Sequence, residues 1–272
     1  MAQFGGPAGF FLANLAILAF SRMSGDQFLA WGWRIPFWLS LIMVVIGLWI
    51  RLGILETPIF QKVIAEERVA RTPVVLKRQP KEIALTALAR MGQMSTAYVY
   101  AAFFFTYGIK VVGASRDFLL TVLLIGSFFS FFTIPFSGWL SDRFGRKEVY
   151  IFGAAATGLF AFAYYALFDT AVPGLIVLAV LVGFFFHDLM WGPLAALTAE
   201  CFTPRLRYSG ASIGFQLASV FAGGPAPFIA TALLAATGSG QVIALYLLAC
   251  TIVSVAATAA LPSGRDRDFA RV

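Results

Sequence analysis

The sequence predicts an all-α polytopic membrane protein with eight transmembrane helices. Three observations predict it. Hydrophobic residues make up 60% of the 272 positions and charged residues only 12%. A soluble domain carries roughly 25% charged residues, so a water-facing surface cannot be covered, and 29 Phe exclude a disordered chain. The apolar residues fall in long uncharged runs of the length a helix needs to cross hydrocarbon, about 20 residues. The cations gather in alternate connecting segments. A membrane β-barrel would show segments of about ten residues with alternating polarity instead.

The runs define the elements in order. Residues 1–21, 35–50, 91–109, 118–141, 149–168 and 170–186 carry no charge, nor do residues 208–264. The last run is long enough for two spans and is broken by Thr237-Gly238-Ser239-Gly240. The expected helices are 4–21, 33–53, 83–108, 117–140, 148–168, 172–199, 209–236 and 241–261. The first run has no positive n-region and is followed by further spans, so it is not a signal peptide. Residues 54–82 differ in composition. Charges crowd there between Glu56 and Glu82, and Thr72-Pro73 and Gln79-Pro80 punctuate the segment. It reads as a water-exposed linker. The expected organisation is 1–53 as one pair of helices, 54–82 as a cytoplasmic linker, 83–261 as a six-helix bundle and 262–272 as a cytoplasmic tail.

Orientation follows from the cations. One set of loops holds Arg51, Lys62, Arg68, Arg71, Lys77, Arg78, Lys81, Arg143, Arg146, Lys147, Arg205, Arg207, Arg265, Arg267 and Arg271. The other set holds only Arg22, Arg34, Lys110 and Arg116. The cation-rich side is cytoplasmic by the positive-inside rule. Both termini are expected there, in a multi-pass protein of the plasma (inner) membrane.

Cys201 and Cys250 lie in separate apolar segments, and there is a single His. Neither a disulfide framework nor a metal-ligand spacing is present. No nucleophile–base constellation is visible, so no enzyme and no cofactor are expected, and no nucleic-acid partner. Gly5-Gly6-Pro7-Ala8-Gly9-Phe10 and Gly223-Gly224-Pro225-Ala226-Pro227-Phe228 form an internal repeat. Each is followed by a final helix and then a charged segment, an arrangement that duplicated transporter bundles use.

Gly138-Trp139-Leu140-Ser141-Asp142-Arg143-Phe144-Gly145-Arg146-Lys147 sits between two spans and resembles the signature loop of the major facilitator superfamily. Trp31-Gly32-Trp33-Arg34-Ile35-Pro36-Phe37, Glu56-Thr57-Pro58 and the segment from Ala199 to Ser212 resemble its metabolite:proton symporter branch, the organic acid, proline-betaine and shikimate type. The resemblance implies a partial major facilitator fold, helices five to twelve of twelve. The chain is then expected to be truncated at its amino terminus, with the missing half as a possible partner. The implied function is secondary active transport: symport of a small organic acid or zwitterionic metabolite with protons, by alternating access. The competing class is a non-transporting remnant or a membrane-embedded interaction subunit. The resemblance also assigns a cytoplasmic latch to Gly138, Asp142, Arg143, Gly145, Arg146 and Lys147, with Glu200, Arg205 and Arg207 as charge-relay partners. Gly138 is expected to allow close helix approach and Gly145 the turn.

Charges inside spans carry the remaining information, because an intramembrane charge normally faces a cavity or a partner. Arg90 either faces a cavity, with Gln93 on the same wall, or snorkels to the headgroups. A carboxylate substrate would suit it. His187-Asp188 lies mid-helix, where a lipid-facing Asp is untenable, and is read as handling protons or substrate. The alternative is a structural pair in a kinked helix. Gln216 stands on a small, polar face with Ser209, Ser212 and Ser219 and is taken as a cavity residue. The phenylalanine runs 103–105 and 184–186 go all round their helices, so many of those rings should face lipid.

Overall fold

The computed structural model describes residues 5–28, 30–53, 78–203 and 206–262. The expected linker up to residue 77, Arg205 and the tail beyond residue 262 lie outside the described residues.

All eight expected spans are helical. Helix α1 covers Gly5–Ser24 and α2 covers Arg34–Gly53. The third span is built in pieces: α3 (Pro80–Ala89), α4 (Met91–Tyr98), a π-turn at Val99–Phe103 and α5 (Phe104–Lys110). Then come α6 (Arg116–Phe144), α7 (Arg146–Asp169) and α8 (Pro173–Glu200). The seventh span is α9 (Arg207–Ala218), a second π-turn at Ser219–Gly223 and α10 (Ala226–Thr237). Helix α11 covers Gly240–Ala260. Among the described residues, six helical stretches, the seventh span taken as one, are long and apolar enough to cross a membrane. The interrupted third span and α2 complete the eight.

The boundaries depart from the expected ones for local reasons. The third span starts at Pro80, three residues inside the expected linker, because proline suits the first helical position and Glu82 faces the helix amino terminus. The expected loop 141–147 shrinks to one residue: α6 runs on to Phe144, and Gly145 alone separates it from α7. Gly145 has φ +109°, and a Cβ there would lie 2.0 Å from the Glu148 carboxylate. Only glycine adopts that backbone without strain. The seventh span breaks where Pro225 has no N–H to continue the α-register. There Gly224 donates to the Ser219 carbonyl across five residues, 2.8 Å.

Small residues recur where the helices meet, as in membrane bundles generally. Helix α8 lies against α7 and α6, α11 against α7, α4 and α3, and α9 against α3. On α6, Ser127, Ser130, Thr133, Ser137 and Ser141 form one buried stripe. Ser127, Ser137 and Ser141 bond back to carbonyls of their own helix, which satisfies them without a partner helix. Helix α1 packs along α6, with Phe11 edge-on to Phe131 at 5.7 Å. Helix α2 touches α1 and leaves Trp38, Leu41, Val44 and Trp49 exposed. The phenylalanines are less lipid-facing than their spacing suggests: Phe103 and Phe104 are buried with Tyr107, Tyr164, Tyr165 and Phe168 in the main apolar cluster.

A Cβ on Gly138 itself would meet open space, so the close approach of α8 beside it does not rest on that glycine. The approach is made by Gly192 of α8, whose Cβ would lie 1.8 Å from Ser137 Oγ and 2.9 Å from the Gly138 nitrogen. A methyl group there must push two packed helices apart. Gly192→Ala should therefore destabilise the bundle by about 1–3 kcal/mol, whereas Gly138→Ala should be near neutral. Thermal melts of the two variants in detergent check this contrast.

Candidate functional site

The centre of the bundle holds a buried polar chain. Helix α8 carries His187 and Asp188 twelve residues before its end at Glu200, roughly 18 Å along the axis. Asp188 is 3% exposed. A carboxylate at that depth is tenable only with partners. Thr133 of α6 donates its hydroxyl to Asp188 Oδ2, and His187 Nδ1 lies 3.5 Å from Oδ1. On the other side of the imidazole, the Gln93 amide nitrogen of α4 is 3.2 Å from His187 Nε2. Four side chains thus tie α4, α8 and α6 together.

His187 and Asp188 open onto a cavity of about 250 Å³ between α1, α4, α6 and α8. Phe10, Tyr100, Phe184 and Trp191 form its aromatic walls, and Gly6 and Pro7 of α1 close one side. Among the described residues no Lys or Arg lines it. Tyr100 stands in the first π-turn, the kind of irregularity that recurs at functional sites.

The remaining expected site residues lie elsewhere. Arg90 sits at the α3–α4 junction with its guanidinium 4.4 Å over the Phe215 ring. It is 7% exposed, so it neither snorkels nor lines the cavity. Gln216 lies in a separate, shallow groove on α9 with Ser212 and Phe221. The structure therefore brings together Gln93, His187 and Asp188, and separates them from Arg90 and Gln216. Thr133, Tyr100 and Phe10 escaped the sequence reading. Thr133 belongs to a regular serine–threonine stripe, and that spacing is the only signal that could have singled it out.

At one end of the bundle, Arg146 pairs with Glu200 and reaches Asp142 Oδ1 at 3.3 Å. One guanidinium thereby joins the ends of α6 and α8 across the start of α7. Lys147 donates to the carbonyls of Ala259 (2.7 Å) and Leu261 (2.9 Å), which caps the carboxyl end of α11. Arg143 lies 5.8 Å over the Trp139 ring, and Arg207 opens α9. At the opposite end, Arg22 Nε lies 3.7 Å from Asp117 Oδ2 and ties α1 to α6.

Membrane-length helices around a largely apolar cavity that holds a buried His–Asp pair, with a charged knot at one end, define a multi-pass helical membrane protein. The sequence profile of the Major Facilitator Superfamily matches residues 110–268, and the chain belongs to that family. It is 35% identical to the shikimate transporter of Escherichia coli (strain K12), over 97% of this chain and 62% of that protein. It is 32% identical to the inner membrane metabolite transport protein YhjE of the same strain, over 91% of this chain and 58% of that protein. The proline/betaine transporter of that strain is 28% identical over 93% of this chain and 53% of its own length. The chain thus spans about three-fifths or less of the length of these relatives. They are transporters, and the family is not an enzymatic one.

The geometry ranks the two acids around Arg146. Asp142 has a side chain 68% exposed and that of Glu200 is 31% exposed. An exposed ion pair contributes about 0–1 kcal/mol, and a charge-assisted bond in a half-buried site about 1–3 kcal/mol. Glu200→Gln should therefore lower stability more than Asp142→Asn. Chemical or thermal unfolding of both variants beside the parent chain measures the difference.

Proposed function

We propose that this chain carries a small organic acid or zwitterionic metabolite across the inner membrane together with a proton, by alternating access. The observation that carries this reading is the His187–Asp188 pair, buried at mid-depth and open to the cavity between α1 and the six-helix bundle. His and Asp are the side chains that relay protons in coupled transporters. The names of the relatives, which move shikimate, metabolites and proline or betaine, point to the same substrate classes.

The electrostatics of the cavity support symport in particular. A substrate carboxylate entering a low-dielectric site needs a compensating charge. With no Lys or Arg in the lining, a proton taken up by the His187–Asp188 pair together with the anion keeps the net charge of the site unchanged. Anion and proton then enter together and leave together. The end bearing Asp142, Arg146 and Glu200 faces the cytoplasm in this reading, and that knot is the latch that parts when the carrier opens inward.

Asp188→Asn keeps the shape and removes the ionisable group. Uptake into vesicles against a substrate gradient, driven only by a proton gradient, should be abolished, while downhill exchange of substrate persists. Asp188→Glu should retain part of the uphill uptake. Accumulation by the Asn variant under the same proton gradient would remove Asp188 from the coupling step and return the pair to a structural role.

A further inference from the structure

The third span is broken at Arg90, and neither a proline nor a π-turn breaks it there. Arg90 has ψ −9°, against about −42° in a regular helix. In a continuous helix the Gly92 N–H would bond the Leu88 carbonyl, four residues back. It donates instead to Ser254 Oγ of α11, 2.6 Å away, and the same hydroxyl donates to the Leu88 carbonyl at 3.2 Å. A side chain from a distant helix thus stands inside one rung of the ladder. The next carbonyl, Ala89, accepts from the Tyr150 hydroxyl of α7. The ladder holds on either side, where the Arg90 N–H donates to Thr86 (3.2 Å) and the Met94 N–H to Arg90 (2.9 Å).

A side chain inserted into the i→i−4 ladder is one of the few causes of a sharp bend. At membrane depth it is tolerated because the hydroxyl satisfies both freed backbone groups. Ser254 is fully buried, and Gly92 lets α4 and α11 meet closely: a Cβ on it would lie 2.9 Å from Thr251 Cα. A larger residue there would push α11 away and withdraw the hydroxyl. The residue after Gly92 is Gln93, whose amide nitrogen lies 3.2 Å from His187 Nε2. Further along α4, Ser95 Oγ donates to the Ala222 carbonyl in the second π-turn, 3.3 Å. The bend at the open rung therefore sets the direction of a short segment, Met91–Tyr98, that carries Gln93.

We propose that Ser254 is a positioning residue for the His187–Asp188 pair: by standing in the Leu88–Gly92 rung, it fixes the bend that brings Gln93 to His187. The contact matters to function through the transport reading above, in which His187 belongs to the proton-handling pair. The rung has two arrangements that leave no backbone group unbonded. With the hydroxyl in, the span bends. With it out, Gly92 bonds Leu88 directly, and a serine in a membrane helix can turn to a carbonyl of its own helix. Removing the hydroxyl straightens the span and draws Gln93 away from the imidazole.

The chain has one histidine, so every histidine ring signal belongs to His187. The test is NMR of the purified full chain in lipid nanodiscs, with labelled histidine and glutamine and no substrate. The parent should show a through-space contact between a glutamine side-chain amide and the imidazole, and Gln93→Ala should abolish it. Ser254→Ala should abolish it too and displace the ring nitrogen signals as Gln93→Ala does. Ser254→Thr, which keeps the hydroxyl, should restore both. Ser254→Ala should melt close to the parent, because the rung re-forms; loss of a hydroxyl with a merely structural role would lower melting and leave the histidine signals in place. A Gln93–His187 contact that persists in Ser254→Ala would overturn the proposal. So would a Ser254→Ala chain that does not fold, since the rung would then have stayed open. Either result overturns the positioning alone, whereas accumulation by the Asp188→Asn chain, described above, overturns the proton-coupled reading alone.

Discussion

A carboxylate buried midway along a membrane-length apolar helix needs partners, and Asp188 lies at such a place. Much of the central architecture answers that constraint. Thr133 reaches it from α6 and His187 from the same helix, and Gln93 of α4 holds the far side of the imidazole. Three helices that could otherwise slide past one another on apolar faces are fixed in register by this chain. The close approach that brings Thr133 within reach depends on Gly192, five residues beyond His187 on α8. One buried polar group thus links the wall of the cavity, the seam between α6 and α8 and the imidazole of His187.

The two ends of the bundle are built differently. At the Asp142 end, Arg146 and Lys147 knit the ends of α6, α8 and α11 within a single bundle, and Gly145 turns the chain in one residue. At the other end the tie runs between α1 and α6, through an exposed Arg22–Asp117 pair. Exposed pairs contribute little, so the second tie is the easier to break. The cavity lies between these ends, against α1. A carrier that alternates access needs this asymmetry: firm joints within a body and weak ones between bodies.

Much of the fold was legible in the residues because the bilayer imposes a crude rule. Uncharged runs of about twenty residues have few fates in a membrane chain, and the seven runs, the last of them double, became eight helical spans. What the rule misses is the inside of a span. The π-turn at Val99–Phe103 has no proline or glycine to announce it, and it is the turn that presents Tyr100 to the cavity. His187 and Asp188 stood out because charge in an apolar run is rare. Thr133 did not, since a threonine in a membrane helix usually bonds its own backbone. Arg90 shows the converse: its depth was readable, but its contact with Phe215 depends on how α3 meets α9. Helix spacing alone placed Gln216 on a polar face without revealing that it lines a groove separate from the cavity of His187.

The central claim is that the His187–Asp188 pair takes up a proton as substrate binds. The most direct measurement is the pH change of a weakly buffered solution of the purified protein when shikimate is added at saturation. The account predicts an alkaline shift, stoichiometric with bound ligand, that disappears when Asp188 is replaced by Asn. Binding with no proton uptake, or uptake that survives the replacement, would contradict it.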